Sequence, residues 1–192
     1  MKLIIITGGI GSGKSVVSRL VGVMGYPTYD CDSEAKRLMN ESPILKAQLR
    51  ELLGHETYDD KGKLNRSYVA SRIFSDKNLL QQMNAIVHPA VREDLKNWLA
   101  ESAAPIAFAE TALLEESGLG EEAQRIWVVD APMELRIERV MQRSALNREQ
   151  VSARIASQAA QFNFPDAVHI LNDNVNSLIE QITALLNESN KM

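Results

Sequence analysis

A chain of 192 residues with 45% hydrophobic and 24% charged residues has the balance of a globular domain with a core. Its formal net charge of −4 argues against a protein dominated by nucleic-acid or membrane-surface binding, so any anion it takes must meet a local positive site. A single cysteine cannot form an internal disulfide, and no apolar stretch approaches the ~20 residues needed to span a bilayer. The apolar run that opens the chain is too short for a secretory leader, and a cytoplasmic location is expected.

Leu3-Ile4-Ile5-Ile6 is a continuous apolar run, as in a strand buried on both faces. Glycines follow it, and Val16, Val17, Leu20, Val21 and Met24 then recur at helical spacing. Pro27–Asp30 reads as a second short strand and Ser33–Asn40 as the start of a helix. Three more strands are expected at Ile106–Ala109 ending at Glu110, at Ile126–Val129 ending at Asp130, and at Val168–Leu171. Helices are expected at Met133–Arg143 and Ser177–Leu186. Strands alternating with helices predict an α/β fold, a parallel five-stranded sheet with helices on both faces.

Residues 42–100 break that rhythm with helical segments, a polar turn at Gly54–Asn65 and no convincing strand. They read as a helical insertion, leaving 1–41 and 101–192 as the core. Leu80, Met83, Val87, Val91, Leu95 and Trp98 recur every three or four residues, and Pro89 is expected to open a new helix after His88.

Gly8-Gly-Ile-Gly-Ser-Gly13-Lys14-Ser15 fits G-x-x-x-x-G-K-[ST] at every fixed position, between a predicted strand and a predicted helix. Gly9, Gly11, Ser12 and Gly13 would let backbone N–H groups converge on phosphates, with Val16 beginning the helix beneath them. Lys14 would reach the β- and γ-phosphates and the Ser15 hydroxyl would ligate Mg²⁺. The loop predicts binding of a nucleoside triphosphate; hydrolysis, switching and phosphoryl transfer all stay open on it alone.

Arg136, Arg139, Arg143, Arg148 and Arg154 crowd residues 133–158, which contain no lysine. Arg139 and Arg143 have no carboxylate three or four residues away, and like charges at that spacing cost a few tenths of a kcal/mol per pair. Arginine throughout suits phosphate oxygens, so Arg139 or Arg143 is expected on a phosphate; Arg136 is expected in solvent. In YDCDSEAK, Asp30 and Asp32 flank Cys31 just past a predicted strand end. Either aspartate would cap the following helix, and a carboxylate there could also receive a proton from an acceptor. Cys31 between two carboxylates reads as packing. His88 would either touch an acceptor or end a helix before Pro89, while His55 and His169 show no partner pattern.

ITGGIGSGKS, YDCDSEAKRL, the His-Pro pair in Val87-His88-Pro89-Ala90-Val91, Arg139-Val-Met-Gln-Arg143 and Arg154-Ile-Ala-Ser-Gln158 come in this order over residues 3–174. Together they resemble the dephospho-CoA kinase family. The resemblance implies a P-loop kinase core, a helical acceptor (CoA-type) domain at 42–100 and a helical lid at about 143–160. It implies MgATP-dependent phosphorylation of the ribose 3′-hydroxyl of dephospho-CoA, the final step of coenzyme A synthesis. ATP and dephospho-CoA are then the partners, with no nucleic acid and no membrane. The chain is expected to act as a monomer, with a weak homo-oligomer as the alternative.

On the same resemblance Asp32 is the base, and Lys14, Arg139 and Arg143 join it in catalysis. Asp30, His88, Glu110 and Arg154 fall to the acceptor side, Glu110 alternatively holding Mg²⁺ through a water. The chain departs from the family pattern where Val16 replaces a threonine, where Ala112-Leu-Leu-Glu-Glu116 follows the third strand, and at Leu171-Asn172-Asp173. The rivals are another small-molecule kinase of the same fold, which the His-Pro insertion disfavours, and a nucleotide-dependent switch. No N-K-x-D motif is present to read guanine.

Overall fold

The computed structural model describes residues 1–189 other than 75, 159–161 and 163. They form two compact units, Met1–Tyr29 with Ser102–Met192, and Asp30–Glu101. The first unit is built on a sheet of β1 (Lys2–Thr7), β2 (Thr28–Asp30), β3 (Ile106–Glu110), β4 (Arg125–Asp130) and β5 (Val168–Leu171). The spatial order is β2-β3-β1-β4-β5. Pairing is parallel between β1 and β3, β1 and β4, and β4 and β5, with Ile6 opposite Glu110 and Thr7 opposite Val128. β1 lies at the centre, which is why its side chains are apolar on both faces.

Its helices are α1 (Lys14–Val23), α6 (Leu114–Ser117), α7 (Met133–Arg143), α8 (Arg148–Ser157) and α9 (Leu178–Ser189). The core joins Ile4, Ile6, Phe108, Trp127, Val129 and Ile170 of the sheet to Val17 and Val21 of α1 and Ile182 and Leu186 of α9. Phe108 lies tilted against Trp127 at 5.1 Å and meets Tyr26 edge-on at 5.6 Å. A separate cluster locks α7 to α8 through Ile137, Val140, Val151 and Ile155. Asn147 starts α8 with a capping box, its side chain on the Gln150 N–H and the Gln150 side chain on its own N–H.

The second unit consists of α2 (Cys31–Glu41), α3 (Pro43–Leu53), α4 (Arg66–Phe74) and α5 (Lys77–Glu101), with a 3-10 turn at His55–Thr57 and an antiparallel bridge between Tyr58 and Leu64. Helix α2 groups with these residues, whereas the sequence reading began the helical segment at 42. Helix α5 packs against α2, α3 and α4. Arg37 of α2 meets both oxygens of Asp94 on α5 at 2.7 and 2.8 Å, and these bonds push the guanidinium pKa further up.

Pro89 does not open a new helix as expected: α5 runs unbroken through it. A proline inside a helix leaves the carbonyl four residues back unpaired, which costs about 3 kcal/mol. Here Ala85 and Pro89 are both exposed, so water can meet that carbonyl, while Met83, Val87, Val91 and Leu95 are buried on either side of the proline. The continuous apolar face outweighs the lost bond. No helix among the described residues is long and apolar enough to cross a membrane.

Candidate active site

The phosphate loop spans residues 8–13, between the C-terminal end of the central strand and the N-terminus of α1, where ligands of open α/β sheets bind. Gly13 has φ +97°, and a Cβ there would stand 2.1 Å from Asn172 Nδ2, so no other residue fits without displacing that side chain. Gly9 and Gly11 lie against Arg136, the first against its guanidinium and the second against its backbone. Lys14 donates to the Gly8 carbonyl at 2.7 Å, folding its amine back over the loop. Ser15 donates to Glu110 Oε1 at 2.9 Å, because the β1–β3 register sets Glu110 beside the strand that feeds the loop. Ser12 is buried and its hydroxyl has no partner among the described residues; Val16 is 46% exposed.

Helix α7 runs beside this loop. Arg136, expected in solvent, instead donates from Nε to the Ile10 carbonyl at 2.9 Å. Burial lowers its pKa, partly offset by Asp130. Its position follows from the helical period: Ile137 and Val140 face the apolar cluster, which turns Arg136 and Arg139 along the loop. Arg139 bonds Asn174 Oδ1 at 2.7 Å and makes long contacts of 3.5 and 3.4 Å to the carbonyls of Gly11 and Ser12. Arg143 and Arg154 are exposed, with no side-chain partner among the described residues. Arg148 pairs with Glu134. Residues 159 and 160 at the end of the expected lid lie outside the described residues.

In the helical unit Asp30 is the N-cap of α2, accepting from the N–H groups of Asp32 at 3.0 Å and Ser33 at 3.2 Å. The Ser33 hydroxyl adds a 2.6 Å bond to its second oxygen. Asp32 is exposed in the first turn of α2. Cys31, a free thiol, is 5% exposed. His88 is half-buried within α5 and ends no helix.

Residues 2–180 match the profile of a family described as dephospho-CoA kinase. A Bacteroides fragilis dephospho-CoA kinase is 40% identical over 184 residues, covering 94% of this chain and 89% of that protein. A Porphyromonas gingivalis dephospho-CoA kinase is 42% identical over 153 residues, covering 80% and 75%. The chain belongs to the dephospho-CoA kinase family. Membership makes it an ATP-using phosphotransferase at the final step of coenzyme A biosynthesis. The solved structure of a Thermus thermophilus protein superposes with a TM-score of 0.78 at 36% identity, covering 97% of both chains. A Campylobacter jejuni dephospho-CoA kinase (TM-score 0.71, 22% identity, covering 100% of this chain and 98% of that one) shares the fold.

Three contacts of this family member join residues far apart in the chain. Asn172 is buried, and its Nδ2 donates to the Ser12 carbonyl at 2.8 Å. His169, which showed no partner pattern, meets the Asp130 carboxylate through Nδ1. The parallel β4–β5 register sets that pair, joining residues 39 apart in the chain. Gln158 accepts from the Ile10 N–H at 2.9 Å. Only Gln158 lay inside a recognisable motif, Arg154-Ile-Ala-Ser-Gln158.

Proposed function

We propose that this kinase transfers the γ-phosphoryl group of ATP to the ribose 3′-hydroxyl of dephospho-CoA, releasing ADP and coenzyme A. The observation that carries the reading is the phosphate loop at the end of the central strand, with Lys14 and the Ser15–Glu110 pair at its base, in a chain of this family. The 3′-oxygen forms a bond to the γ-phosphorus as the bond to the β–γ bridging oxygen breaks, and that oxygen leaves with ADP. The hydroxyl proton goes to Asp32, the base, which is exposed and keeps its carboxylate clear of the cap that Asp30 forms.

Asp30 serves on the acceptor side by holding the first turn of α2, and His88 and Arg154 contact the acceptor. The N–H groups of Gly9 and of Gly11 to Val16, with the Ser12 hydroxyl, hold the donor phosphates, whose charge Lys14, Arg139 and Arg143 offset. The Ser15 hydroxyl and Glu110 carboxylate, 2.9 Å apart, are the hard oxygen donors that suit Mg²⁺. When bound, Mg²⁺ neutralises charge on the β- and γ-phosphates. The enzyme acts as a monomer in the cytoplasm.

ADP release is measured with MgATP against dephospho-CoA, AMP, CMP, shikimate, gluconate and no acceptor. Stimulation by dephospho-CoA alone is expected. Stimulation by AMP and not dephospho-CoA would overturn the acceptor assignment.

A further inference from the structure

Ile10, a variable position of the phosphate loop, is held in three different ways from one helix pair. Its N–H donates to Gln158 Oε1 at 2.9 Å, and its carbonyl accepts from Arg136 Nε at 2.9 Å. Its side chain packs against the cluster of Ile137 and Val140 from α7 and Val151 and Ile155 from α8. Gln158 sits at the C-cap of α8 with its own N–H bonded to Ile155, so the backbone that carries its amide is part of the helix end.

A phosphate loop works through its backbone N–H groups, and their directions depend on how the loop is pinned. Pinning by both backbone groups and the side chain of one residue leaves Ile10 little rotation about its φ and ψ. The N–H of Ile10 is spent on Gln158, which removes it from the phosphate cradle. The same helix pair carries Arg139, Arg143 and Arg154.

We infer that Gln158 is a positioning residue for phosphoryl transfer: through the N–H of Ile10 it sets the register between the phosphate loop and the arginines of α7 and α8. The inference rests on the reading that those arginines meet the transferring phosphate. A residue that sets register acts when the charge of the transition state must meet its partners, so its loss falls on kcat and spares ATP binding.

Gln158→Met keeps the length of the side chain and loses the amide oxygen. Amide hydrogen exchange at Ile10, read by NMR without nucleotide, is expected to run at least about tenfold faster in this variant, the scale of one hydrogen bond of about 1.4 kcal/mol. Gln158→Glu, which keeps an acceptor oxygen at the same reach, is expected to restore the protection. With MgATP and dephospho-CoA, Gln158→Met is expected to lose about tenfold in kcat while KM for ATP stays within about twofold. Unchanged exchange at Ile10, or a KM that rises with kcat intact, would overturn the inference. Absence of dephospho-CoA turnover in the wild type would refute the acceptor assignment above instead. The exchange measurement needs no acceptor and decides whether Gln158 holds the loop in either case.

Discussion

Gly13→Ala tests whether position 13 is a glycine for its backbone, for the space above it, or for both. Gly13 and Gly25 share nearly the same positive φ, +97° and +93°, but a Cβ on Gly25 would meet nothing within 4 Å. Gly25→Ala therefore isolates the backbone cost of a left-handed conformation, about 1–2 kcal/mol. At Gly13 the added Cβ would stand 2.1 Å from Asn172 Nδ2, so the side chain must turn away and give up its 2.8 Å bond to the Ser12 carbonyl. Leaving a buried group unmet costs about 1–3 kcal/mol, so Gly13→Ala should lose about 2–5 kcal/mol in total. For a chain of this size each kcal/mol moves Tm by about 2–4 °C, which separates the two variants in a thermal melt followed by circular dichroism. The decisive arm is Asn172→Ala. In that background the clash is gone, and Gly13→Ala should cost only about the 1–2 kcal/mol seen at Gly25, a coupling of about 1–3 kcal/mol in urea unfolding. Equal losses for Gly13→Ala with and without Asn172 would refute the reasoning.

Asp32→Asn is expected to lower turnover of dephospho-CoA by about 10²–10⁴, the range for a positioned general base, with Tm nearly unchanged because the cap uses the Asp32 backbone N–H and not its carboxylate. Turnover within a few-fold of the parent would reject the assignment. Asp30→Ala removes the cap of α2 and should cost about 1–2 kcal/mol in urea unfolding, while Asp30→Asn should recover most of it. Tyr58 is 5% exposed and donates to the Met39 carbonyl at 2.8 Å; burial pushes its pKa up to about 12, although Arg50 beside the ring opposes the shift. The neutral phenol is thus favoured in the folded state, so its contribution is complete below pH 10 and is lost as pH rises from about 10 through about 12. At about 1.4 kcal/mol per pH unit the loss amounts to roughly 2–3 kcal/mol. A urea series across that window should show a shallower decline for Tyr58→Phe, and parallel slopes would count against it.

Much of the nucleotide unit was legible because its signals are local. The run Leu3–Ile6, the glycine loop and the helical spacing after Lys14 are neighbours in the chain, and the structure reproduces them as β1, loop and α1. The expected Met133–Arg143 helix and the Val168–Leu171 strand coincide with α7 and β5. The dual possibility for Asp30 and Asp32 was also local, and Asp30 took the cap because its oxygens sit two and three residues ahead of the N–H groups they accept. Local reasoning failed at Pro89, where four buried apolar residues kept a helix whole through a residue that breaks isolated helices.

By itself the sequence determined the chemistry on offer: a loop of glycines, lysine and serine for phosphates, a run of arginines lacking local carboxylates, and two acids at a strand end. Those depend on residue type and short spacing, which a linear chain displays. Tertiary structure alone decided which groups hold the loop in shape. Arg136 moved from expected solvent to the Ile10 carbonyl, Asn172 came from 160 residues away to the Ser12 carbonyl, and Asp130 found His169. Each of these contacts is set by strand register or by which side of a helix faces a core. Spacing along the chain carries no record of either.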